Sequence, residues 1–245
     1  MPDIPTLEWD ALLAQQTEPT PFMRHAYLLA MEESGSASPS TGWKLQVLSL
    51  RYAQNSTPVG TDVGCLAGAM ALYIKPHSYG EYVFDWAWAD AYQRHGLNYY
   101  PKAVAAVPFT PVPGTRLLAD SHTSQAALLE AAVNLAKQEA WSSLHLLFLS
   151  ASDLEATESA GWLSRYTVQF HWHNIGFEDF DHFLQALNQE KRKKIKQERR
   201  KVNEAGVRFV AIEGANIQST DWDFFYKCKC GTNHISMFSF FKIRK

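Results

Sequence analysis

A chain of 245 residues has room for one large domain or two of ordinary size. It is 46% hydrophobic and 20% charged, which suits a folded protein with a real core, and its net charge of −2 excludes a strong general attraction to nucleic acid or anionic membrane. Three cysteines (Cys65, Cys228 and Cys230) make no disulfide framework and fit a reducing compartment. No basic-then-apolar leader opens the chain, and no window approaches eighteen apolar residues, so the expected location is the cytoplasm and no membrane span is expected.

Thr20-Pro21 ahead of FMRHAYLLAMEES predicts a capped helix that ends near Gly35. Alternation predicts a strand from Trp43 to Tyr52, and AQNSTPVGTDVG a loop. Leu66 to Lys75 reads as a buried strand whose small residues permit close packing. A helix is expected from Phe84 to His95, with Gly96 just past its end. KAVAAVPF predicts a short strand and TPVPGTR a rigid loop. Leu128, Leu129, Ala132, Val133, Leu135 and Ala136 make 122–140 an amphipathic helix. Strands are then expected at Leu144 to Ser150 and Arg165 to Trp172, with a helix over 151–161 between them. After a break at HNIGFED come a helix from Phe177 to Asn203, a strand from Gly206 to Ile212 and a helical TDWDFFYK. The mixture is an α/β or α+β pattern.

The stretch KPHSYGEYVFDWAWADAY, Lys75 to Tyr92, holds six aromatic residues in eighteen positions together with Lys75, His77, Glu81 and Asp85. Core aromatics usually arrive with aliphatic neighbours, and this run has almost none. Lys75 suits an anionic group, and the rings suit a planar or sugar-like one. The plainer reading makes Trp86, Trp88 and Tyr92 core and the polar groups solvated. NYYPKAVAAVPFTPVPG brings Tyr99, Tyr100 and Lys102 to one end of a strand and Phe109 and Thr110 to the other, as pocket borders or as structural turns. QFHWHN puts Gln169, His171 and His173 on one strand face and Phe170 and Trp172 on the other. No third ligand lies at a supporting spacing, so no metal is expected there. KRKKIKQERRK, Lys191 to Lys201, holds eight basic residues and one acid, a local +7 that leaves the rest at −9. It is either a solvated helix face or a surface for an anionic partner; no aromatic residue interleaves with the cations, which disfavours single-stranded nucleic acid, and no specific DNA binding is expected. CKCGTNH has poor spacing for zinc. Nucleotide-binding and hydrolase motifs are missing.

HAYLLAMEESGSA, ALYIKPHSYGEYVFDWAWADAY, GLNYYPK, VPFTPVPG, QFHWHN and FLQALNQEKRKKIKQERRKV, in that order, resemble the FemAB-like acyltransferase family of bacteria, a predicted N-acyltransferase branch of the GNAT superfamily tied to peptidoglycan biosynthesis or recognition. The resemblance implies two tandem GNAT-like folds, each a mixed sheet flanked by helices. The first would span 1–175, and the second, opened by the basic helix, 176–245. It implies an acyl donor such as acyl-CoA or aminoacyl-tRNA, an amine acceptor, and no tightly bound cofactor. The residues it marks are Lys75, His77, Tyr79, Tyr82, Asp85, Trp86, Tyr99, Tyr100, Pro101, Phe109, Thr110, His171, Trp172, Asn174 and Arg192. Among these, His77, Asp85 and His171 are candidates for the base, and Tyr79 or Tyr82 for a donor to the oxyanion or leaving group. The sequence departs from the family pattern after Tyr226, so a second fold cut short near Lys227 is expected, and on that reading Cys228, Cys230 and His234 carry no chemistry.

Overall fold

The computed structural model describes residues 1, 3–53, 64–83 and 85–230, without the side chains of 229 and 230. The expected loop at AQNSTPVGTDVG lies mostly outside these residues, as do His234 and the start of the helix expected from Phe84. The chain divides into two compact units, Met1–Thr167 and a second from Val168 onward. Each is described by itself.

The first unit is a mixed α/β fold. Its elements are α1 (Thr6–Ala14), α2 (His25–Glu33), β1 (Lys44–Arg51), β2 (Leu66–Lys75), α3 (Trp86–Arg94), β3 (Lys102–Ala105), β4 (Leu118–Ala119), α4 (His122–Gln138), β5 (Leu144–Leu146) and α5 (Ala151–Ser159). The sheet is ordered β1-β2-β3-β5, with β4 also on β2. β2 is the hub. β1 lies antiparallel along its whole length, from Lys44↔Ile74 to Arg51↔Leu66. On its other edge β4 pairs with its beginning (Gly68↔Ala119) and β3 with its end (Lys75↔Lys102). Residues 106–117 leave the sheet between these two partners. β5 closes the sheet parallel to β3.

Period-two alternation assigns the two faces of β2. Met70 and Leu72 pack with Leu128, Leu129 and Ala132 of α4. Ala69 and Ala71 face Trp9, Leu12 and Leu13 of α1 and Leu28 of α2. The small residues matter: a Cβ on Gly68 would meet Leu128 at 3.1 Å, so glycine there lets α4 lie close to the sheet. The Trp9 indole N–H donates to Met23 O at 2.7 Å, joining α1 to the turn before α2. Thr20 caps that turn, a short 3-10 helix at Pro21–Met23, so the single helix expected from Pro21 is a 3-10 turn followed by α2.

The second unit contains α6 (Phe180–Gln185), α7 (Gln189–Glu204) and α8 (Ser219–Cys230), and no strand among the described residues. Three expectations are corrected. The strand at Arg165 to Trp172 and the strand at Gly206 to Ile212 find no ladder partner among the described residues and form no regular structure, because alternation alone does not supply one. The helix expected from Phe177 to Asn203 breaks at Ala186–Asn188, where Asn188 Oδ1 accepts from Lys191 N at 2.9 Å and starts α7 afresh. No helix among the described residues is long and apolar enough to cross a membrane.

Candidate functional site

β2 ends and β3 begins with a lysine, and the register sets Lys75 directly opposite Lys102 on one face of the sheet. Like charges so placed repel, and both lysines are fully buried. The loop 76–85 resolves the conflict. It folds back over the strand ends and buries Ser78, Glu81 and Asp85. Lys102 Nζ donates to Glu81 Oε2 at 2.7 Å and to Asp85 Oδ2 at 2.5 Å, and the Tyr99 hydroxyl donates to the same Asp85 oxygen at 2.7 Å. Among the described residues Lys75 makes no ion pair with a carboxylate. Its Nζ donates to Tyr79 O at 3.0 Å and stands 3.5 Å from the Trp43 ring centroid, a cation–π contact.

The electrostatics follow from this packing. Burial pulls the Lys75 ammonium down to about 8, Glu81 opposing and Lys102 assisting. Burial also pushes Glu81 above the ordinary carboxylate range, against the pull of Lys102. Asp85 is desolvated too, yet hydrogen bonds from Lys102, Tyr99 and Ser78 together outweigh burial and hold it below that range. His145 of β5 is brought down to about 4 by burial and by Lys102, so it is a neutral ring. Burial and the bond to Asp85 push the Tyr99 hydroxyl up.

Above the buried charges lies an aromatic apron. Tyr79, Tyr82, Trp86 and Phe109 are each about half exposed. The His77 and Tyr79 rings meet edge-on at 5.1 Å, Tyr79 and Trp86 at 5.6 Å, and Phe109 leans on Trp43 at 5.3 Å. Glycines make room: a Cβ on Gly80 (φ +82°) would stand 2.6 Å from Phe109, and one on Gly42 (φ +75°) 2.2 Å from His77 Nε2. Tyr82 (φ 59°) and Phe109 (φ 57°) hold the left-handed conformation that non-glycine residues avoid, a local strain of the kind that concentrates at functional loops. His77 Nδ1 accepts from Tyr79 N at 3.3 Å. The neutral ring therefore carries its proton on Nε2. Burial and Lys75 lower its pKa.

Of the residues marked in the sequence, Lys75, His77, Tyr79, Tyr82, Asp85, Trp86, Tyr99 and Tyr100 belong to this assembly. Tyr100 joins it through a 2.9 Å hydroxyl bond to Ser78. Phe109 enters through Trp43, while Thr110 turns to Pro108 O and Tyr27. His171, Trp172, Asn174 and Arg192 lie in the second unit. There the His171 and His173 rings stack at 6.4 Å, and His171 Nε2 is 3.2 Å from Gln169 Oε1. Trp172 and Asn174 border a cleft. Arg192 folds back to donate to Leu187 O at 3.3 Å. Lys102 was read only as a pocket border and Glu81 only as a member of the aromatic stretch, with no pairing between them, and Ser78 and His145 were not singled out. A lysine opening a strand as apolar as KAVAAVPF was the available signal, since a buried ammonium requires partners.

No curated protein and no solved structure matches the chain. A family model does: FemAB-like, described as peptidoglycan biosynthesis/recognition, over residues 1–239. The match takes in the buried lysines, the aromatic apron and the basic helix together, and the chain belongs to the FemAB-like family.

Proposed function

We propose that the first unit binds substrate for a FemAB-type N-acyl transfer, in which an acyl or aminoacyl group passes from acyl-CoA or aminoacyl-tRNA to an amine on a cell-wall precursor. The observation that carries this reading is the construction of the loop 76–86. Its carboxylates are fastened below to Lys102, while Tyr79, Tyr82 and Trp86 are left half exposed above. A loop held this way presents rings to a sugar or planar group without ordering them at the moment of binding.

In the reaction the amine nitrogen forms a bond to the carbonyl carbon, an oxyanion develops, and the carbon–sulfur or carbon–oxygen bond to the donor breaks as the amine's proton passes to the departing thiolate or alkoxide. His77, protonated on Nε2, suits donation to the oxyanion better than proton abstraction. Asp85, held ionised by Lys102 and Tyr99, acts as a positioning residue and not as the base. Titration calorimetry of the full chain against an acyl-CoA, an aminoacyl-tRNA and a peptidoglycan fragment tests the reading; binding of none of them overturns it. His77→Ala should cut transfer by about 10²-fold; unchanged transfer removes the donor role.

A second reading, recognition without catalysis, is favoured by the exposed rings alone. It predicts that the fragment binds and that neither donor supports transfer. An anionic partner at Lys191–Lys201 is a separate proposal. Lys196 and Arg200 pair with Asp181 and Glu204 at 3.6 Å, and Arg192 and Arg199 turn to Leu187 O and the Phe180 ring. Affinity there should fall steeply with salt.

A further inference from the structure

The second unit holds a cleft that the buried charges of the first unit do not explain. Its volume is about 460 Å³, within the range of small-ligand sites. Trp172, Phe177, Phe180 and Phe183 line it together with Glu178 and Asp179, all within one short stretch of chain. Phe183 is the common wall: Trp172 meets it edge-on at 6.1 Å, Phe177 edge-on at 5.5 Å, and Phe180 tilted at 5.6 Å. The backbone beneath is fixed before any ligand arrives. Asn174 Oδ1 accepts from Gly176 N and Phe177 N, its Nδ2 donates to Phe177 O at 3.0 Å, and Asp179 Oδ1 accepts from His182 N at 2.7 Å.

Two properties of this cleft point to one ligand chemistry. Aromatic faces carry negative quadrupoles and attract cations, and the chain already displays this, with the Arg199 guanidinium 4.2 Å from the Phe180 ring. Carboxylates flank the rings, and that of Glu178 makes no ion pair among the described residues. An anion is repelled by such a rim, and a neutral apolar group gains nothing from it. We propose that the cleft of Trp172, Phe177, Phe180 and Phe183, flanked by Glu178, binds an organic ammonium group.

A site that stabilises an ammonium raises its pKa and keeps its lone pair protonated. The group held here is therefore not the attacking amine of an acyl transfer. It is a cation used for recognition, and the proposal stands or falls apart from the acyl-transfer reading. Trp172 is 66% exposed, so its replacement leaves the packing of the unit in place.

The test uses the full chain and two probes of equal shape, choline and its uncharged isostere 3,3-dimethylbutanol, titrated by calorimetry. Choline should bind saturably and at least about tenfold more tightly than the isostere. Trp172→Ala should cost choline about tenfold, Trp172→Phe should restore most of it because a π face returns, and Glu178→Gln should cost about threefold. Equal affinity for the two probes, no saturation by choline, or unchanged choline binding in both Trp172→Ala and Glu178→Gln overturns the assignment.

Discussion

The first unit buries two groups of charges, and they are used differently. Arg116 spends its guanidinium on main chain, donating to Leu147 O at 2.9 Å, Val112 O at 2.5 Å and Thr115 O at 3.2 Å. Asp153 of α5 accepts from the backbone N–H groups of Arg116 and Leu117. These charges satisfy the 106–117 excursion where it leaves the sheet, and they hold a scaffold. Lys102, by contrast, is bound by side chains of a loop, and that loop carries the exposed rings. The difference separates a buried charge that completes a fold from one that sets the position of a surface.

The comparison can be broken most directly at Lys102. Lys102→Met strands Glu81 and Asp85 in the interior and should cost about 3–5 kcal/mol in urea unfolding. Adding Glu81→Gln and Asp85→Asn should recover much of that; no recovery means that the lysine stem and not its charge holds the loop.

The two aspartates sharpen the contrast through pH. Burial pushes Asp153 up to about 6. In the folded state it keeps a proton that the unfolded chain has lost, so this group's contribution falls as pH rises from about 4 to 6. Asp85 is held low, so its contribution is present above the ordinary carboxylate range and is lost as pH falls through its folded value. Unfolding measured from pH 4 to 7 should show the cost of Asp153→Asn shrinking by roughly 3 kcal/mol while the cost of Asp85→Asn stays level, and on further acidification below about pH 4 the cost of Asp85→Asn should fall. Parallel trends would dissolve the distinction.

Smaller effects follow. Tyr99→Phe removes one hydrogen bond to a buried carboxylate and should destabilise by about 1.5–3 kcal/mol. Trp86→Ala touches the apron and not the charges below it. Stability should move by less than about 0.5 kcal/mol, while affinity for a peptidoglycan fragment should fall about tenfold on the proposed reading. A stability loss as large as that of Tyr99→Phe would make Trp86 part of the core.

Much of this was legible in the residues. β2 emerged with its expected bounds, Leu66–Lys75, because a run of small and apolar residues closed by a lysine has few other readings. α4 followed from its apolar stripe. The aromatic loop was recognisable as unlike core, since it lacked aliphatic partners. What could not be read was pairing. Nothing local says that Lys75 and Lys102 face each other, or that Glu81 and Asp85 are the neutralising partners; register supplies that. The same blindness produced strands at 165–172 and 206–212, where no neighbouring strand stands among the described residues. α1 was not anticipated either, although Trp9, Leu12 and Leu13 recur at helical spacing.

The position of β2 also dictates when the first unit can fold during synthesis. Its partners lie at 44–51, 102–105 and 118–119, and the strand that finishes the sheet comes only at 144–146. A nascent chain that reaches only Ala119 has every ladder partner of the hub strand but lacks the Leu128, Leu129 and Ala132 of α4 that cover Met70 and Leu72. The Met70–Leu72 face of the apolar run 66–74 must then wait, uncovered, for some sixty further residues, roughly 3–12 s at ordinary elongation rates, which makes that interval the moment when the protein is most open to chaperone capture or aggregation.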